Sequence, residues 1–248
     1  MRVAAIYDIH GNLPALEAVL QEIHSLGVDQ VVVGGDVLPG PMPRECIDAL
    51  RSLSIPTQFI YGNGDREVLA FRRGEESSAV PEQFREGMRW NARQLRPEDE
   101  HFLAAWPSTA RLCIEPFGDV LFCHATPRND TEIFTRLTPG ERVAAALQDA
   151  NASAVVCGHT HMQFDRMIGD VRVVNAGSVG MPFGEPGAYW LLLSENVDLR
   201  RTSYDLSAAA TRIRASDYPG AEEFAARNVL APPSEEQILT AYANAALR

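Results

Sequence analysis

The repeated alternation of short strand-like runs with helical stretches constrains the fold of this chain most. Residues 3–7, 30–33 and 57–61 have the length and composition of buried strands, and apolar residues at helical spacing over 13–26 follow the first of them. Strands that alternate with helices are typical of layered α/β folds. The second half of the chain is richer in strands, so the sequence predicts two facing sheets with helices on the outside.

The remaining elements follow from the same patterns. Helices are predicted at 44–53 and at 81–106, where Pro97 divides the second stretch into two. Further strands are expected at 111–115, 120–123, 154–157, 164–167, 171–174, 189–193 and 197–204, with a helix at 138–151. We expect a single domain over residues 1–248, in which the alanine-rich stretch 207–248 is a helical extension packed on the rest.

Length and composition place the chain among globular proteins. Its 248 residues allow one large α/β domain, and 46% of them are apolar. The net charge of −11 argues against broad contact with the phosphate backbone of duplex nucleic acid. The first apolar run is too short for a signal peptide, and no run of 18 apolar residues occurs, so we expect a cytoplasmic protein. The four cysteines form no Cys-x-x-Cys pair and are expected to be free thiols packed like small apolar side chains.

Side chains able to bind a metal ion follow five of the strand-like runs. Four of the six histidines of the chain, two aspartates and an asparagine occupy these positions. In open α/β sheets ligands bind at the carboxyl ends of strands, because the loops there converge. One histidine in such a place is more often structural, but seven side chains at equivalent places favour a metal site. The candidate ligands are Asp8, His10, Asp36, Asn63, His124, His159 and His161.

The residue types indicate the kind of ion. In an extended chain, residues two positions apart point to the same side, so Asp8 with His10, and His159 with His161, could each chelate an ion. Asp36 follows two glycines that permit a sharp turn, and its two carboxylate oxygens could bridge two ions. Nitrogen and oxygen ligands without thiolate suit Mn(II), Fe(II), Ni(II) or Zn(II) better than calcium. The identity of the ion stays open.

Five sequence blocks resemble the ordered motifs of the calcineurin-like metallophosphoesterases. They are DIH at 8–10, GGD at 34–36, GNGD at 62–65, the lone His124 and GHTH at 158–161. The loop NAGSVG and the size of the chain bring it closest to the small bacterial and archaeal phosphodiesterase branch. The resemblance implies a metallophosphoesterase-like α/β fold, a four-layer αββα sandwich of two facing mixed sheets. It also implies a dinuclear metal centre whose bridging hydroxide attacks phosphorus in line.

The resemblance assigns roles to the candidate ligands. It implies that one metal is held by Asp8, His10 and His161, that the other is held by Asn63, His124 and His159, and that Asp36 bridges them. It further implies that Asp36, Asn63 and His124 are catalytic. Two divalent ions carry more charge than two aspartates and a hydroxide cancel, so such a site attracts phosphate despite the acidic chain.

One position departs from the family pattern. Many members have a histidine directly after the asparagine, where it serves as a general acid near the leaving-group oxygen, whereas this chain has Gly64. A general acid typically contributes about 10²- to 10⁴-fold, so its absence argues against alkyl monoesters and favours diesters or good leaving groups. Asp65 could substitute, although an N-cap role is the simpler interpretation. We expect Gly64→His to flatten the dependence of rate on leaving-group pKa, provided that the new side chain reaches the cleft without displacing Asn63.

Three residues are candidates for substrate contact. Arg128 follows His124 by four positions and could bind phosphate, or it could be solvated at the surface. Asn12 lies just before the first helix, where capping is the alternative role. Ser178 belongs to a glycine loop that could present N–H groups to an anion or only turn the chain.

Three functions stay open from the sequence. The leading one is a phosphodiesterase that acts on a small or nucleotide-like phosphate ester with two divalent transition-metal ions. A phosphomonoesterase or protein phosphatase is favoured by the GGD and GN blocks and opposed by Gly64. A non-catalytic interaction scaffold, which the same fold provides in the retromer coat, is disfavoured because all seven metal positions hold competent ligands. We expect no stable binding of duplex nucleic acid and no membrane partner, and homo-oligomer formation stays open.

Overall fold

The computed structural model describes residues 1–243, and its strands form two five-stranded sheets. In chain order the strands are β1 (Val3–Ile6), β2 (Gln30–Val33), β3 (Thr57–Phe59), β4 (Thr109–Ile114), β5 (Gly118–Cys123), β6 (Ala154–Cys157), β7 (Phe164–Ile168), β8 (Val171–Asn175), β9 (Ala188–Leu193) and β10 (Val197–Thr202). Each predicted strand begins and ends within about two residues of an observed one.

Helices occupy most of the chain between the strands. Within residues 1–243 they are α1 (Leu13–Ser25), α2 (Pro43–Arg51), α3 (Asn63–Arg72), α4 (Glu82–Gln94), α5 (Pro97–Ala104), α6 (Gly140–Ala146), α7 (Leu206–Arg214), α8 (Ala221–Phe224) and α9 (Glu235–Tyr242), and a π-helical segment at Ala225–Leu230 follows α8. None of these helices is long and apolar enough to cross a membrane.

The helix predicted at 138–151 is shorter than expected and ends at Ala146. The guanidinium of Arg111 donates hydrogen bonds to the backbone carbonyls of Ala150 and Asn151. Asn151 also has a left-handed backbone, with φ +44°. This segment therefore satisfies its carbonyls through strand β4, and the helical pattern of the sequence does not reveal that long-range contact.

Each sheet is mixed, and its parallel strands lead toward the same edge. The first sheet has the order β10-β9-β1-β2-β3, and the second has the order β4-β5-β6-β8-β7. In the first sheet β1 pairs in parallel with β2 and antiparallel with β9. In the second, β6 pairs in parallel with both β5 and β8. The segments after β1, β2, β3, β5 and β6 carry the candidate ligands.

Alternation along the strands builds four layers. In β1, Val3 and Ala5 pack between the sheets with Phe122 of β5. Ala4 and Ile6 face the opposite way and pack with the helices that cover the first sheet. A separate cluster joins the outer face of β5 and β6 to α6. The order of layers is helix, sheet, sheet, helix, and the predicted αββα sandwich is confirmed.

Helix α1 illustrates how the sequence sets the outer layer. The Asn12 side chain accepts a hydrogen bond from the backbone N–H of Ala15 at 3.3 Å and caps the helix. Pro14 lies in the first turn, where its missing N–H is not needed. Gly27, with φ +61°, follows the last turn. The buried stripe that includes Leu16 then packs on the first sheet.

The cysteines are free, but one of them is not packed as expected. Cys46, Cys123 and Cys157 are buried, whereas Cys113 is exposed. On the edge strand β4 its neighbours Leu112 and Ile114 point toward the space between the sheets, so Cys113 points outward. The expectation of a buried thiol was wrong at this position. The division of the chain into one domain with a helical extension stays a prediction, and residues 244–248 of that extension lie outside the described residues.

Candidate metal centre

The seven candidate ligands come together where strands from both sheets end. Asp8 and His10 follow β1, Asp36 follows β2, Asn63 begins α3 after β3, His124 follows β5, and His159 and His161 follow β6. The two sheets hold the loops after β1, β2, β5 and β6 in place, because these strands are paired on both sides, whereas β3 is an edge strand.

Five of the seven residues have a left-handed backbone. The φ angles are +53° at Asp8, +47° at His10, +51° at Asp36, +63° at His159 and +60° at His161. In a residue other than glycine this conformation costs about 1–3 kcal/mol and persists where surrounding contacts impose it, often at functional sites. The side chains of Asp8 and His10 therefore converge by tight turns after β1, and the expected extended alternation was wrong.

Asp8, His10 and His161 form the first group of potential ligands. Their ligand atoms lie within 4.8 Å of one another. Oδ1 of Asp8 is 3.3 Å from Nε2 of His161 and 3.9 Å from Nε2 of His10. The two Nε2 atoms are 3.3 Å apart. Three electron-pair donors thus surround one point, an arrangement suited to a cation.

Asp36, His124 and His159 form the second group, again with ligand atoms within 4.8 Å of one another. The amide end of Asn63 lies 3.2 Å from Nε2 of His124 and 3.0 Å from Nδ1 of His159. Opposite two ring nitrogens, an amide nitrogen can donate a hydrogen bond, and an amide oxygen can share a cation with them. In either orientation Asn63 belongs to this second group.

Asp36 lies between the two groups. Its Oδ2 atom is 3.7 Å from Nε2 of His10 and 3.6 Å from Nε2 of His124. Its Oδ1 atom accepts a hydrogen bond from the backbone N–H of Gly64 at 2.7 Å. One carboxylate oxygen is therefore fixed by the backbone, while the other faces a histidine of each group.

Backbone carbonyls orient three of the imidazole rings. The contacts are His10 Nδ1 with the Pro39 carbonyl at 3.3 Å, His124 Nδ1 with the Gly34 carbonyl at 3.0 Å, and His161 Nδ1 with the Met181 carbonyl at 2.7 Å. Because a carbonyl oxygen only accepts, each Nδ1 carries the hydrogen, and the Nε2 of a neutral ring presents its lone pair to the centre. Such contacts orient metal-binding histidines in proteins.

The candidate ligand side chains shift one another's pKa values. Burial opposes protonation of His124, but the carboxylates of Asp36 and Asp8 outweigh it and raise its pKa to about 10. Burial lowers the pKa of His159 to about 4 and also lowers the pKa of His10. Burial acts to raise the pKa of Asp36, yet the neighbouring His124 lowers it below its ordinary value. Both aspartates are held ionised in a buried place, which favours a bound cation.

An unpartnered oxygen tests whether these residues fit a metal ion. Oδ1 of Asp8 is buried and accepts no hydrogen bond from the described residues. The other oxygen of the same carboxylate accepts from the backbone N–H of His159 at 2.8 Å. A buried charged oxygen without a partner is costly, and the imidazole nitrogens around it offer lone pairs when their rings are neutral. A divalent cation would satisfy both sets of atoms, so the residues fit the metal that the sequence predicts.

Asp65 fixes the loop that carries Asp36. It is fully buried, and its carboxylate accepts hydrogen bonds from the backbone N–H groups of Asp36 at 2.8 Å, Leu38 at 3.0 Å and Gly62 at 3.0 Å. Burial and the charge of Asp36 raise its pKa to about 7. Asp65 is the third residue of α3, and its side chain accepts the hydrogen bond from the backbone N–H of Gly62, the N-cap residue. It is therefore neither the N-cap itself nor placed to protonate a leaving group.

Gly64 is buried and has no room for a side chain. A Cβ atom there would lie 2.3 Å from the backbone oxygen of Leu38 and 3.0 Å from Oδ1 of Asp36. The first distance is shorter than real Cβ contacts with a backbone atom, and the second is tight, so packing of α3 against the loop after β2 requires glycine. The condition attached to the Gly64→His prediction, that the new side chain reaches the cleft, is therefore not met by this packing.

The three predicted substrate contacts have other partners. Asn12 is fully buried, and besides capping α1 it donates to the Gly180 carbonyl at 3.0 Å. Ser178 is also fully buried and donates to the backbone oxygen of Asp8 at 2.7 Å, so it braces a candidate ligand. The guanidinium of Arg128 binds Glu132 at 2.6 Å. These contacts give all three residues structural roles, and their contact with substrate stays a prediction.

Sequence reasoning missed an ion pair beside the centre. The Arg66 guanidinium donates two hydrogen bonds to the Asp130 carboxylate, at 2.7 Å and 3.1 Å. The backbone oxygen of Asp130 in turn lies 3.1 Å from the amide of Asn63. One indication of this ion pair was present in the sequence, because Arg66 follows the candidate ligand Asn63 by about one helical turn. The partner, 64 positions away, is not evident from local spacing.

Comparison with known proteins places this arrangement in a family. The calcineurin-like phosphoesterase superfamily domain matches residues 1–196. An uncharacterised protein from Methanocaldococcus jannaschii is 28% identical over 232 residues, which cover 85% of this chain and 91% of that protein. The phosphodiesterase YfcE from Escherichia coli is 26% identical over 207 residues, which cover 77% of this chain and 87% of YfcE. The chain therefore belongs to the calcineurin-like phosphoesterase superfamily.

Solved structures agree with the fold. A hypothetical protein from Pyrococcus horikoshii superimposes with a TM-score of 0.81 at 21% identity, covering 94% of this chain and 99% of that one. A metallophosphoesterase from Sphaerobacter thermophilus superimposes with a TM-score of 0.71 at 25% identity, covering 93% and 98%. The predicted family and its metallophosphoesterase fold are confirmed, and membership in this superfamily supports a phosphoester hydrolase.

Proposed function

We propose that this chain is a phosphodiesterase that requires two divalent transition-metal ions. The observation that supports this most is the pair of buried ligand groups around Asp36, with the unpartnered Oδ1 of Asp8 among three histidine nitrogens. Two cation positions that share one carboxylate are the basis of two-metal phosphoryl chemistry.

Each ion would have its own ligands. Asp8, His10 and His161 would hold one, Asn63, His124 and His159 would hold the other, and Asp36 would contact both. When bound, the ions would neutralise phosphate charge and lower the pKa of coordinated water. The chain's own part is to fix the three rings through backbone carbonyls and to hold Asp36 through Gly64 and Asp65. In this proposal Asp36, Asn63 and His124 are catalytic, as the resemblance to the family implies.

Preference for diesters follows from what faces the centre. Position 64 has no side chain and cannot acquire one without displacing Leu38, so no imidazole assists the leaving group from there. A substrate whose leaving group departs without a proton is therefore favoured. The printed name of the Escherichia coli relative, a phosphodiesterase, agrees with this preference. A small phosphate ester as substrate and a cytoplasmic location remain predictions from the sequence.

The test is a panel of aryl phosphate monoesters and diesters. We expect the protein treated with chelator to be inactive, and Mn(II) to restore hydrolysis with a higher kcat/KM for diesters. His124→Ala should lose this activity, whereas His101→Ala is the matched control, because His101 is exposed on α5 and, within residues 1–243, hydrogen-bonds the Pro97 carbonyl alone. Equal activity of the two variants, or a preference for monoesters in the fully metallated protein, would contradict the proposal.

A further inference from the structure

Helix α9 is anchored beside a loop that contacts the candidate metal centre. In this loop, which connects β8 to β9, the Met181 carbonyl lies 2.7 Å from Nδ1 of His161. The ring of Phe183 stacks on the same imidazole, with centroids 5.4 Å apart. The next residue, Gly184, donates its backbone N–H to the carbonyl of Pro233 at 2.9 Å. The chain that leads into α9 is therefore bonded to the neighbour of a residue that packs on a candidate ligand.

The contacts of Glu235 determine which face of α9 points toward the rest of the protein. Its carboxylate pairs with Arg136 at 2.6 Å, and its Cγ atom lies 3.5 Å from the place where a Cβ of Gly184 would be. Residues three, four and seven positions later share this face. They are also the residues of α9 that are half-buried, whereas the others in the helix are exposed. The half-buried face consists of Glu235, Ile238, Leu239 and Tyr242.

The charge of the metal centre reaches Tyr242. The carboxylate of Asp8 acts together with burial to raise the pKa of the Tyr242 phenol to about 12. The same carboxylate acts on the pKa values of the candidate ligands His10, His124, His159 and His161. Tyr242 is therefore close enough to the centre to be affected by the charge that acts on the ligands themselves.

The hydroxyl of Tyr242 is available to a ligand. Within residues 1–243 it has no hydrogen-bond partner, and it is not one of the fully enclosed polar atoms that lack a partner. Most tyrosine hydroxyls that are buried against protein find a partner in the protein. A phenol with a raised pKa also keeps its proton at neutral pH, so this hydroxyl is a hydrogen-bond donor. An acceptor beside the metal centre is therefore the partner that it lacks.

We propose that α9 forms one wall of the substrate site and that the Tyr242 hydroxyl donates a hydrogen bond to a phosphate oxygen of the substrate. The family domain matches residues 1–196, which include the seven candidate ligands, whereas α9 begins at Glu235. The metal centre would then belong to the domain, and this substrate contact to the C-terminal stretch. Its role in turnover rests on the proposed phosphodiesterase function, but the binding of phosphate by Tyr242 does not.

Binding is tested without catalysis, by calorimetric titration of the full chain loaded with Mn(II) against inorganic phosphate. Tyr242→Phe removes only the hydroxyl, so we expect about 10-fold weaker phosphate binding, the effect of one hydrogen bond to a charged acceptor. Mn(II) content should not change. Tyr218→Phe is the matched control, because Tyr218 is also half-buried but packs on Trp90 and Phe224, far along the chain from the ligands. Loss of Mn(II) from Tyr242→Phe would overturn the inference, because Tyr242 would then act on the metal site.

Hydrolysis of bis(p-nitrophenyl) phosphate then tests the contact during turnover. With Mn(II), Tyr242→Phe should raise KM about 10-fold and change kcat little, because a hydrogen bond to a phosphate oxygen is made in the bound substrate and in the transition state alike. If the wild type hydrolyses the diester and Tyr242→Phe matches it in KM and in phosphate affinity, the inference is overturned and the proposed function stands. If phosphate binding depends on Tyr242 but no ester is hydrolysed, the phosphate contact stands and the proposed function fails.

Discussion

The carboxylate of Asp36 accepts a hydrogen bond of 2.7 Å from the backbone N–H of Gly64. Through this contact the side chain between the two ligand groups is fixed to the first turn of α3, the helix that begins with Asn63. The same turn carries Asp65, whose carboxylate accepts the backbone N–H of Asp36 at 2.8 Å. The position of the shared carboxylate thus depends on the packing of one helix start as well as on its own loop.

Replacement of Asp36 by asparagine should abolish most activity. The variant keeps an oxygen able to accept a hydrogen bond from the Gly64 N–H but loses the negative charge that both ligand groups face. We therefore expect loss of metal and a fall in kcat/KM of at least ~100-fold. Removing even an outer hydrogen-bond partner of a metal ligand costs up to about this much. Metal content and kcat/KM on an aryl diester measure both effects. Cys157→Ser is the control, because this thiol is buried in β6 and should affect mainly stability. Equal turnover losses in the two folded variants would count against the site.

Metal loading should saturate near two equivalents per chain. The two ligand groups around Asp36 account for two ions. A bound cation would neutralise the charge of their buried carboxylates, which is costly to leave unpaired. Elemental analysis after mild loading measures the content, and thermal unfolding measures the linked stability. At an ion concentration of 100 Kd the expected stabilisation is about 2.7 kcal/mol for each independent site. A single ion bound through cysteines, or a melting temperature unaffected by chelator, would contradict this assignment.

The fold was predictable because local patterns determine it. The apolar run that ends before Asp8 and the capped helix that follows are both readable in the sequence, since alternation and capping act over a few residues. The convergence of the seven ligands followed from topology, because parallel strands lead toward one edge.

Long-range packing limited the rest of the prediction. Asn12 and Ser178 occupy motif-like positions, but their hydrogen-bond partners Gly180 and Asp8 are about 170 positions away. The steric need for glycine at position 64 arises from the Leu38 carbonyl, which belongs to another loop. Such contacts are properties of the assembled layers, and no local spacing encodes them.

Asp99 should stabilise the protein in a pH-dependent way. Burial acts to raise the pKa of this carboxyl, but hydrogen bonds from Arg96, at 2.7 Å and 2.8 Å, lower it below its ordinary value. A lowered pKa in the folded state means that the stabilisation is present above the ordinary carboxyl range and is lost as pH falls through the lowered pKa. Asp99→Asn should cost about 1 kcal/mol at pH 7, a modest value because Arg96 is partly exposed.

Urea unfolding at neutral and acidic pH measures this difference. Glu98→Gln is a matched control, because Glu98 contacts the same arginine at 3.6 Å and is 55% exposed. We expect the control to change the unfolding free energy by less than about 0.5 kcal/mol. An Asp99→Asn penalty that stays constant down to the lowest pH at which the protein folds would show that charge is not the cause.

Gly64→Ala should destabilise the protein through overpacking. The added methyl group would lie 2.3 Å from the Leu38 oxygen, so backbone must move. Inserting an extra methyl group into a well-packed site typically lowers the free energy of unfolding by about 1–3 kcal/mol. Displacement of the Asp36 carboxylate should weaken metal binding as well. Gly140→Ala is the control, since a Cβ there meets no atom closer than 3.8 Å and the residue begins α6. If the two variants unfold at the same urea concentration, the steric account of position 64 is wrong.

The rate of the wild-type protein should depend steeply on leaving-group pKa. No side chain at position 64 can protonate the departing oxygen, and the carboxyl of the adjacent Asp65 is buried beneath three backbone N–H groups. Across a series of aryl methyl phosphate diesters, kcat/KM should therefore fall as the phenol becomes less acidic, and dialkyl diesters should react slowest. Asp65→Asn should leave this slope unchanged even if it lowers stability or metal content, which must be measured in parallel. A shallow slope in the wild type that becomes steep in fully metallated Asp65→Asn would identify Asp65 as the proton donor, and the buried position seen here would then have to open during turnover.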